Sequence, residues 1–199
     1  MSTFEPVSLP VPFVSIGDQQ WSSTNLSARH FRNGEQVPLV ESIEDWERLG
    51  TLSLPACCCY RNDSRYLEMS GLLYNWFAVS DRRMLAPEGS RIASRADWER
   101  LIGFCGGYQV AGIRLKARTG WNFEGGGADS YGFAAAPGGG RGAFGAYLDH
   151  GDYGNWWCSD AQADQTASFV YMSFLGGTVH VRPDGFRMSG FSVRCVRNA

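Results

Sequence analysis

The chain has almost no lysine, and its charge carries no basic excess. Lys116 is the only lysine, and 18 basic residues stand against 20 acidic ones, for a net charge of −2. Because a nucleic-acid-binding protein needs a basic stripe to neutralise phosphates, the scattered arginines predict no nucleic-acid partner. No apolar run reaches the roughly 18 residues of a membrane span, so no membrane insertion is expected.

Signatures of catalysis and metal binding are missing as well. The three histidines are far apart in sequence, and there is no Gly-x-Ser-x-Gly elbow, His-Glu-x-x-His motif, phosphate loop or dinucleotide fingerprint. The six cysteines include no Cys-x-x-Cys pair, which excludes a zinc ribbon. The segment 124–129 offers fewer oxygen ligands than a dedicated calcium site. We therefore expect no metal, no cofactor and no enzymatic activity.

The cysteines and the N-terminal segment also say something about processing. Three of the cysteines, Cys57, Cys58 and Cys59, are consecutive, and neighbouring cysteines rarely pair with each other. Buried free thiols are the favoured interpretation, and a Cys158–Cys195 disulfide is the alternative. The first residues lack the basic and apolar regions of a signal peptide, so none is expected.

Glycine and aromatic residues are abundant. There are 25 glycines, 7 tryptophans, 8 tyrosines and 12 phenylalanines. This combination is typical of a fold with much loop, held by buried aromatic side chains. Residues 120–154 are punctuated by glycine and show no clear periodicity, but they carry several aromatics, which predicts a loop packed by its own side chains.

Local patterns predict a few regular elements. Residues 1–12 contain three prolines and are expected to form an extended N-terminal arm. Residues 13–21 predict a β-hairpin with its turn at Gly17-Asp18. Helices are predicted over 42–50 and 94–107, each with a capping serine followed three residues later by aspartate, and a third over 72–79.

The C-terminal part predicts a second hairpin, with a two-residue turn at Gly176-Gly177. Counting out from that turn, Leu175 faces Thr178, Ser173 faces His180, and Tyr171 faces Arg182. Because strands alternate faces, this mixed set is expected to point outward. The opposite face is apolar and is expected to point into the core; it consists of Val170, Met172, Phe174, Val179 and Val181.

Several motifs of the chain, taken together and in order, resemble one family. They are Ile16-Gly-Asp-Gln-Gln-Trp21, Tyr74-Asn-Trp-Phe-Ala78, Ser94-Arg-Ala-Asp-Trp-Glu99, Lys116-Ala-Arg-Thr-Gly-Trp-Asn122, Tyr131-Gly-Phe133, Pro137-Gly-Gly139, Asn155-Trp-Trp157 and Gly190-Phe-Ser-Val-Arg-Cys-Val-Arg197. The chain thereby resembles the Fibrobacter succinogenes major paralogous domain from about residue 13 onward. That family is similar to C-type-lectin-fold proteins diversified by retroelements.

The resemblance implies a fold and a binding site. The implied fold is α+β, of C-type-lectin type, over residues 13–199, with two main helices packed on a small twisted antiparallel sheet and long packed loops. Residues 155–189 would be a variable ligand-binding region. The implied ligand-binding residues are Asn155, Trp157, Ser159, Asp160, Gln162, Asp164, Gln165, Ser168, Tyr171, Ser173, Leu175, Thr178, His180, Arg182, Asp184, Phe186 and Arg187.

The implied function is binding to a protein or glycan receptor on a cell surface. The protein would be displayed on a virion, as in a phage tail, or on a bacterial surface, and the sequence leaves its oligomeric state open. A structural or adhesive surface domain without a variable site is the first alternative. The second is an oxidase similar to formylglycine-generating enzymes, but the closely spaced C-terminal cysteine pair of those enzymes has no counterpart here.

Overall fold

The computed structural model describes residues 11–163 and 165–198, and of Asn198 the backbone alone. The predicted N-terminal arm therefore lies mostly outside the described residues. The β-strands are β1 Phe13–Ile16, β2 Gln19–Ser22, β3 Cys57–Cys58, β4 Leu73–Tyr74, β5 Arg91–Ile92, β6 Gly140–Arg141, β7 Tyr147–Leu148, β8 Tyr153–Ala161, β9 Thr166–Ser173, β10 Val179–Phe186 and β11 Cys195–Asn198. The α-helices are α1 Ile43–Thr51, α2 Leu67–Ser70, α3 Trp76–Val79, α4 Arg95–Phe104 and α5 Ala111–Leu115, with 3-10 turns at Tyr60–Asn62, Ser64–Tyr66 and Asn122–Glu124.

The strands of the described residues form four separate antiparallel sheets. A four-stranded sheet has the order β1-β2-β11-β5, and a three-stranded sheet has the order β10-β9-β8. The other two are the small pairs β3-β4 and β6-β7. The chain is thus built mainly from small sheets connected by loops.

The expected α+β fold of C-type-lectin type, with two main helices packed on one sheet, is wrong. The longest helix of the described residues, α4, has only 10 residues, and no single sheet receives both α1 and α4. Helix α4 lies between the two larger sheets, since Trp98 stands 5.0 Å from Trp21 of β2 and 5.8 Å from Trp156 of β8, between ring centroids. Helix α1 packs elsewhere, where Trp46 joins a separate apolar cluster.

Capping residues begin both of the longer helices where the sequence predicts. The Ser42 side chain accepts a hydrogen bond from the amide of Asp45 at the start of α1. Ser94 and Asp97 form a full capping box at the start of α4. Because these bonds satisfy amides that have no partner inside a helix, they fix the first turn locally.

Helix α4 ends at Phe104, three residues before the predicted end at Gly107. Two further details of the predicted helices are wrong. Gly50 does not end α1, which continues to Thr51; it lies instead where a Cβ would collide with the Met188 side chain. Only Trp76–Val79 of the third predicted helix is helical, since Leu73 and Tyr74 pair with β3. In both places a tertiary contact overrides the local pattern.

The N-terminal hairpin is confirmed. Strands β1 and β2 pair with Ile16 opposite Gln19, and Gly17 in the turn has a φ of +63°. A positive φ of this kind is one that glycine adopts without steric cost.

The glycine-punctuated segment 120–154 is packed only in part. Trp121 and Phe133 are buried, as the prediction of a self-packed loop requires. Phe123 and Phe144, however, are 83% and 77% exposed. The segment is fixed partly from outside, since the buried side chain of Arg194, just before β11, donates to the carbonyls of Phe133 and Ala134 at 2.8 and 2.9 Å.

No helix of the described residues is both long enough and apolar enough to cross a bilayer.

Candidate outer binding face

The three-stranded sheet presents two different faces. Trp156, Val170 and Met172 are fully buried on the face that joins the core. On the other face Asn155 of β8, Tyr171 of β9 and His180 of β10 are paired across the strands and form one row. Since side chains alternate along a strand, the row points away from the core. We call the side of the sheet that bears this row the outer face.

The predicted hairpin register is wrong by two residues. The structure pairs Tyr171 with His180 and Phe169 with Arg182, whereas the predicted partners were Arg182 for Tyr171 and His180 for Ser173. Strand β9 ends at Ser173, and Gly176-Gly177 lies inside a longer turn. A shift of two residues keeps every side chain on its face, while a shift of one would reverse the faces. The assignment of faces therefore survives, although Phe174 and Val181 are only partly buried.

Aromatic rings cover the centre of the outer face. The rings of Tyr171 and His180 are nearly parallel, with an interplanar angle of 10° and centroids 4.4 Å apart. Phe169 and Tyr153 each lie 6.0 Å from Tyr171, the former stacked and the latter tilted. Such spacings fall within the range of favourable aromatic pairs, so the rings hold one another in place on the surface.

A shallow groove of about 320 Å³ opens on the same face, beside the aromatic row. One wall is built by Phe169 together with Phe191, whose ring centroids are 5.1 Å apart. Phe186, which is 63% exposed, also lines the groove. The residues that line the groove are Phe169, Tyr171, Arg182, Asp184, Gly185, Phe186, Ser189 and Phe191. The groove thus offers mainly aromatic surface.

An ion pair and a histidine supply the polar groups beside the rings. Arg182 donates to Asp184 at 2.6 Å, and this bond lowers the pKa of the Asp184 carboxyl. Partial burial lowers the pKa of His180 below 6.5, and the charge of Arg182 lowers it further. His180 is therefore neutral at neutral pH and presents a flat ring that can both donate and accept a hydrogen bond.

Three residues of the predicted ligand-binding set have side chains that are buried or bonded to other parts of the chain. Trp157 and Ser168 are fully buried, and the Trp157 indole N–H donates to the carbonyl of Tyr74 at 2.8 Å. Arg187 donates to the carbonyls of Thr166 and Gln162 at the β8–β9 turn, with its guanidinium 4.7 Å from the centroid of the Trp76 ring. Trp157 and Ser168 therefore offer no surface to a ligand, whereas Arg187 is half-buried and remains a predicted binding residue.

The remaining predicted residues are spread over the sheet and over both of its ends. Leu175 and Thr178 lie in the β9–β10 turn, whereas Gln162 and Gln165 lie in the β8–β9 turn at the opposite end. Asp160 accepts a hydrogen bond from the amide of Arg95 at the start of α4. The exposed members of the predicted set are Ser159, Gln165, Leu175, Arg182, Asp184 and Phe186, and the half-buried ones are Asn155, Asp160, Gln162, Tyr171, Ser173, Thr178, His180 and Arg187. Asp164 lies outside the described residues.

Comparison with known families identifies the family of this chain. The model of the Fibrobacter succinogenes major domain matches residues 14–197, nearly the whole chain. The chain belongs to this family. No curated protein and no solved structure matches the chain.

Two aromatic residues that line the groove of this Fibrobacter succinogenes major domain, Phe169 and Phe191, were not among the ligand-binding residues expected from the sequence. Phe169 shares the strand parity of Tyr171 and Ser173, so the same alternation rule would have placed it on the outer face. Phe191 comes from a segment after β10 and reaches the groove only through the tertiary fold. No local pattern points to Phe191, whereas Phe169 could have been found.

The cysteines of the domain show no disulfide among the described residues. All are buried except Cys59, which is half-buried. Burial raises the pKa of Cys105 to about 11 and that of Cys195 to about 12. Because the thiolate is the nucleophilic form, these thiols are unreactive at neutral pH. Within residues 11–163 and 165–198, no three His, Cys, Asp or Glu side chains come together in a group that could hold a metal ion.

Proposed function

We propose that this domain binds a macromolecular receptor on a cell surface through the outer face of its three-stranded sheet. The observation that carries the proposal is the row of stacked rings around Tyr171 and His180, beside the groove at Phe169. These side chains lie on a surface whose reverse side is fully buried core. A rigid base with a chemically mixed outer surface suits recognition better than it suits packing.

The side chains of the outer face are those that recognition surfaces favour. Tyrosine and arginine provide large contact areas and hydrogen bonds, and both are enriched among the residues that dominate binding energy. Serine, asparagine and histidine add short polar groups between the rings. The receptor is a protein or a glycan, and the protein is displayed on a virion or a bacterial surface.

We further propose that residues 155–189 are varied by a retroelement, as the resemblance described above implies. The geometry adds a restriction inside that window. Trp156, Val170 and Val179 fill the core, while Trp157 and Arg187 hold the β4 and β8–β9 backbones. We expect those five positions to stay constant, with variation concentrated at the outer positions, because exposed substitutions usually change stability by only about ±0.5 kcal/mol.

Binding is proposed in preference to catalysis. The residues that line the groove include no histidine and no cysteine, and their one acid, Asp184, is paired with Arg182. No activated nucleophile with an adjacent base is present among the groove residues, which is the arrangement that covalent catalysis requires.

Two experiments test the proposal. Sequencing codons 155–189 across a natural population should find variation at Tyr171 and His180 but not at Trp156 or Trp157. An invariant window would remove diversification and favour a structural or adhesive surface domain.

For binding itself, the unmodified chain and a variant with Tyr171, His180 and Arg182 replaced by alanine should be applied to a glycan array and to a library of displayed cell-surface proteins. Any ligand that the unmodified chain retains should be lost by the variant. Equal retention by both proteins would place the binding site elsewhere.

A further inference from the structure

Lys116 is the only lysine of the chain, and it is buried. Its ammonium donates to the carbonyls of Gly125, Ser173 and Gly176, the last two at 3.0 and 2.8 Å. It also lies 4.8 Å from the centroid of the Trp121 ring. An ammonium has three donors and no acceptor, so the three carbonyls satisfy it completely. Lys116 thus offsets the cost of burying a charge without any carboxylate partner.

The three carbonyls belong to two segments that are distant in sequence. Ser173 is the last residue of β9, and Gly176 lies in the turn that leads to β10. Gly125 lies in the glycine-punctuated segment before them. The ammonium therefore joins the end of β9 and the middle of the β9–β10 turn to a loop that belongs to the scaffold.

Main-chain bonds from the same region reinforce this attachment. Lys116 directly follows α5, whose residue Gly112 donates its amide to the carbonyl of Gly177 at 2.8 Å. The amide of Val179, at the start of β10, donates to the carbonyl of Tyr108 at 2.7 Å. The turn is held in place by α5 and the residues around it, and Lys116 is the one side chain in this group of bonds.

All acceptors of Lys116 are main-chain carbonyls, and every amino acid supplies one. The side chains of the turn take no part, since Leu175 is 68% exposed and the Ser173 hydroxyl bonds to the carbonyl of Leu175. Lys116 consequently holds the backbone of the turn through groups that stay the same when the side chains at Ser173, Leu175 and Thr178 change, whereas Gly177 must stay a glycine because a Cβ there would collide with Ile113. A turn whose outer residues change needs an anchor of this kind.

We propose that Lys116 is the positioning residue of the outer face: it fixes the end of β9 and the β9–β10 turn through their carbonyls, so that side chains there can change without moving the backbone. The proposal rests on the proposed binding function for its purpose, but its physical content needs no ligand. Lys116 lies outside the window 155–189, in the part of the chain that is expected to stay constant.

The first test observes the ammonium directly. Labelling with ¹⁵N-lysine, in a chain whose carbonyl carbons carry ¹³C, gives a single side-chain signal, because the chain has one lysine. We expect a slowly exchanging ammonium signal at neutral pH, with through-hydrogen-bond couplings to the carbonyl carbons of Ser173 and Gly176. Arg118→Lys supplies the matched control, since position 118 is exposed and two residues away. A signal from Lys116 that exchanges as fast as the control's would overturn the proposal.

The second test asks whether the ammonium acts on the turn alone. In Lys116→Met, hydrogen exchange at the amides of Phe174, Val179 and Gly112 should accelerate by about tenfold or more, with no change in the β2–β11 pairing. Arg118→Met, which removes an exposed cation nearby, should change neither. Uniform acceleration across the domain, or none, would contradict a local role.

The third test addresses independence from the side chains of the turn, and it needs only variants that keep Lys116. Ser173→Ala, Leu175→Ala and Thr178→Ala should each leave the ammonium signal and its couplings in place. Loss of the couplings in any of them would show that the anchor depends on turn identity and would sink the proposal. Since no receptor is used, failure of the binding proposal would appear separately, on the arrays.

Discussion

The two faces of the three-stranded sheet differ in what holds them. On the inner face Trp156, Val170 and Met172 are completely excluded from solvent and pack against α4 and the four-stranded sheet. On the outer face Tyr171 and His180 remain half-exposed and pack chiefly on each other. Stability therefore depends mainly on the inner face, and the exposed side chains of the outer face are those on which the proposed binding rests.

The outer face is itself divided into two halves. Toward β4, Trp157 is buried beneath Phe169 and Phe191, with the rings of Trp157 and Phe191 4.5 Å apart. Toward the β9–β10 turn, Tyr153, Tyr171 and His180 have no such cover. Substitutions on the inner face, in the covered half of the outer face and in its open half should therefore lower the free energy of unfolding by three different amounts.

The largest effect is expected on the inner face. Trp156→Ala should lower the free energy of unfolding by about 3 to 5 kcal/mol, the usual cost of a buried tryptophan truncation. It also removes the 2.8 Å bond from the Trp156 indole to the Asn25 side chain, which Arg194 shares. Urea denaturation measures the change. A loss below about 1 kcal/mol would mean that the inner face is not core.

An intermediate effect is expected at the covered half of the outer face. Phe169→Ala should destabilise by about 1 to 2 kcal/mol, because the ring is partly buried and full burial of such a side chain contributes about 1.5 to 3 kcal/mol. The same denaturation experiment applies, with Phe123→Ala as control, since Phe123 is 83% exposed. Equal losses in the two variants would contradict the division of the outer face.

A small effect is expected at the open half. The triple replacement of Tyr171, His180 and Arg182 by alanine should lower the free energy of unfolding by at most about 1.5 kcal/mol in total, since substitutions outside the core cost about 0.5 kcal/mol each and the exposed Arg182–Asp184 ion pair contributes little. Thermal denaturation should therefore place its midpoint close to that of the unmodified chain. Unfolding of the triple variant at room temperature would show that these residues belong to the core.

Local features of the sequence predict the starts of the two longer helices and the face of the sheet on which a side chain lies. Ser42 and Ser94 predict the helix starts because capping bonds form within one turn. The sorting of Val170 and Tyr171 to opposite faces follows from alternation, which requires only that the segment is a strand. Such features need no knowledge of the distant chain.

Features set by distant contacts were not predictable. The hairpin closes through a turn longer than two residues, and the carbonyls of Ser173 and Gly176 at that turn are held by Lys116 from another segment. Two-residue strands such as β3 and β4 are too short to show a periodic pattern, so the division into four sheets cannot be recognised from the local sequence. The groove likewise requires Phe191, which arrives from beyond β10.

The smallest expected effect concerns protonation on the outer face. His180 has a pKa below its ordinary value in the folded protein, mainly through burial and secondly through the charge of Arg182. The unfolded state then binds the proton more readily, so stability should be full above about pH 6.5 and decrease slightly as the pH falls below it.

An NMR titration of the imidazole measures the folded pKa. Arg182→Ala should raise that pKa. Tyr171→Ala removes the ring stacked at 4.4 Å on the imidazole and so exposes it to water, and this variant should raise the pKa by more than Arg182→Ala does. If Arg182→Ala gave the larger rise, charge and not burial would be the dominant influence, and the Tyr171–His180 stack would shield the ring less than its geometry implies.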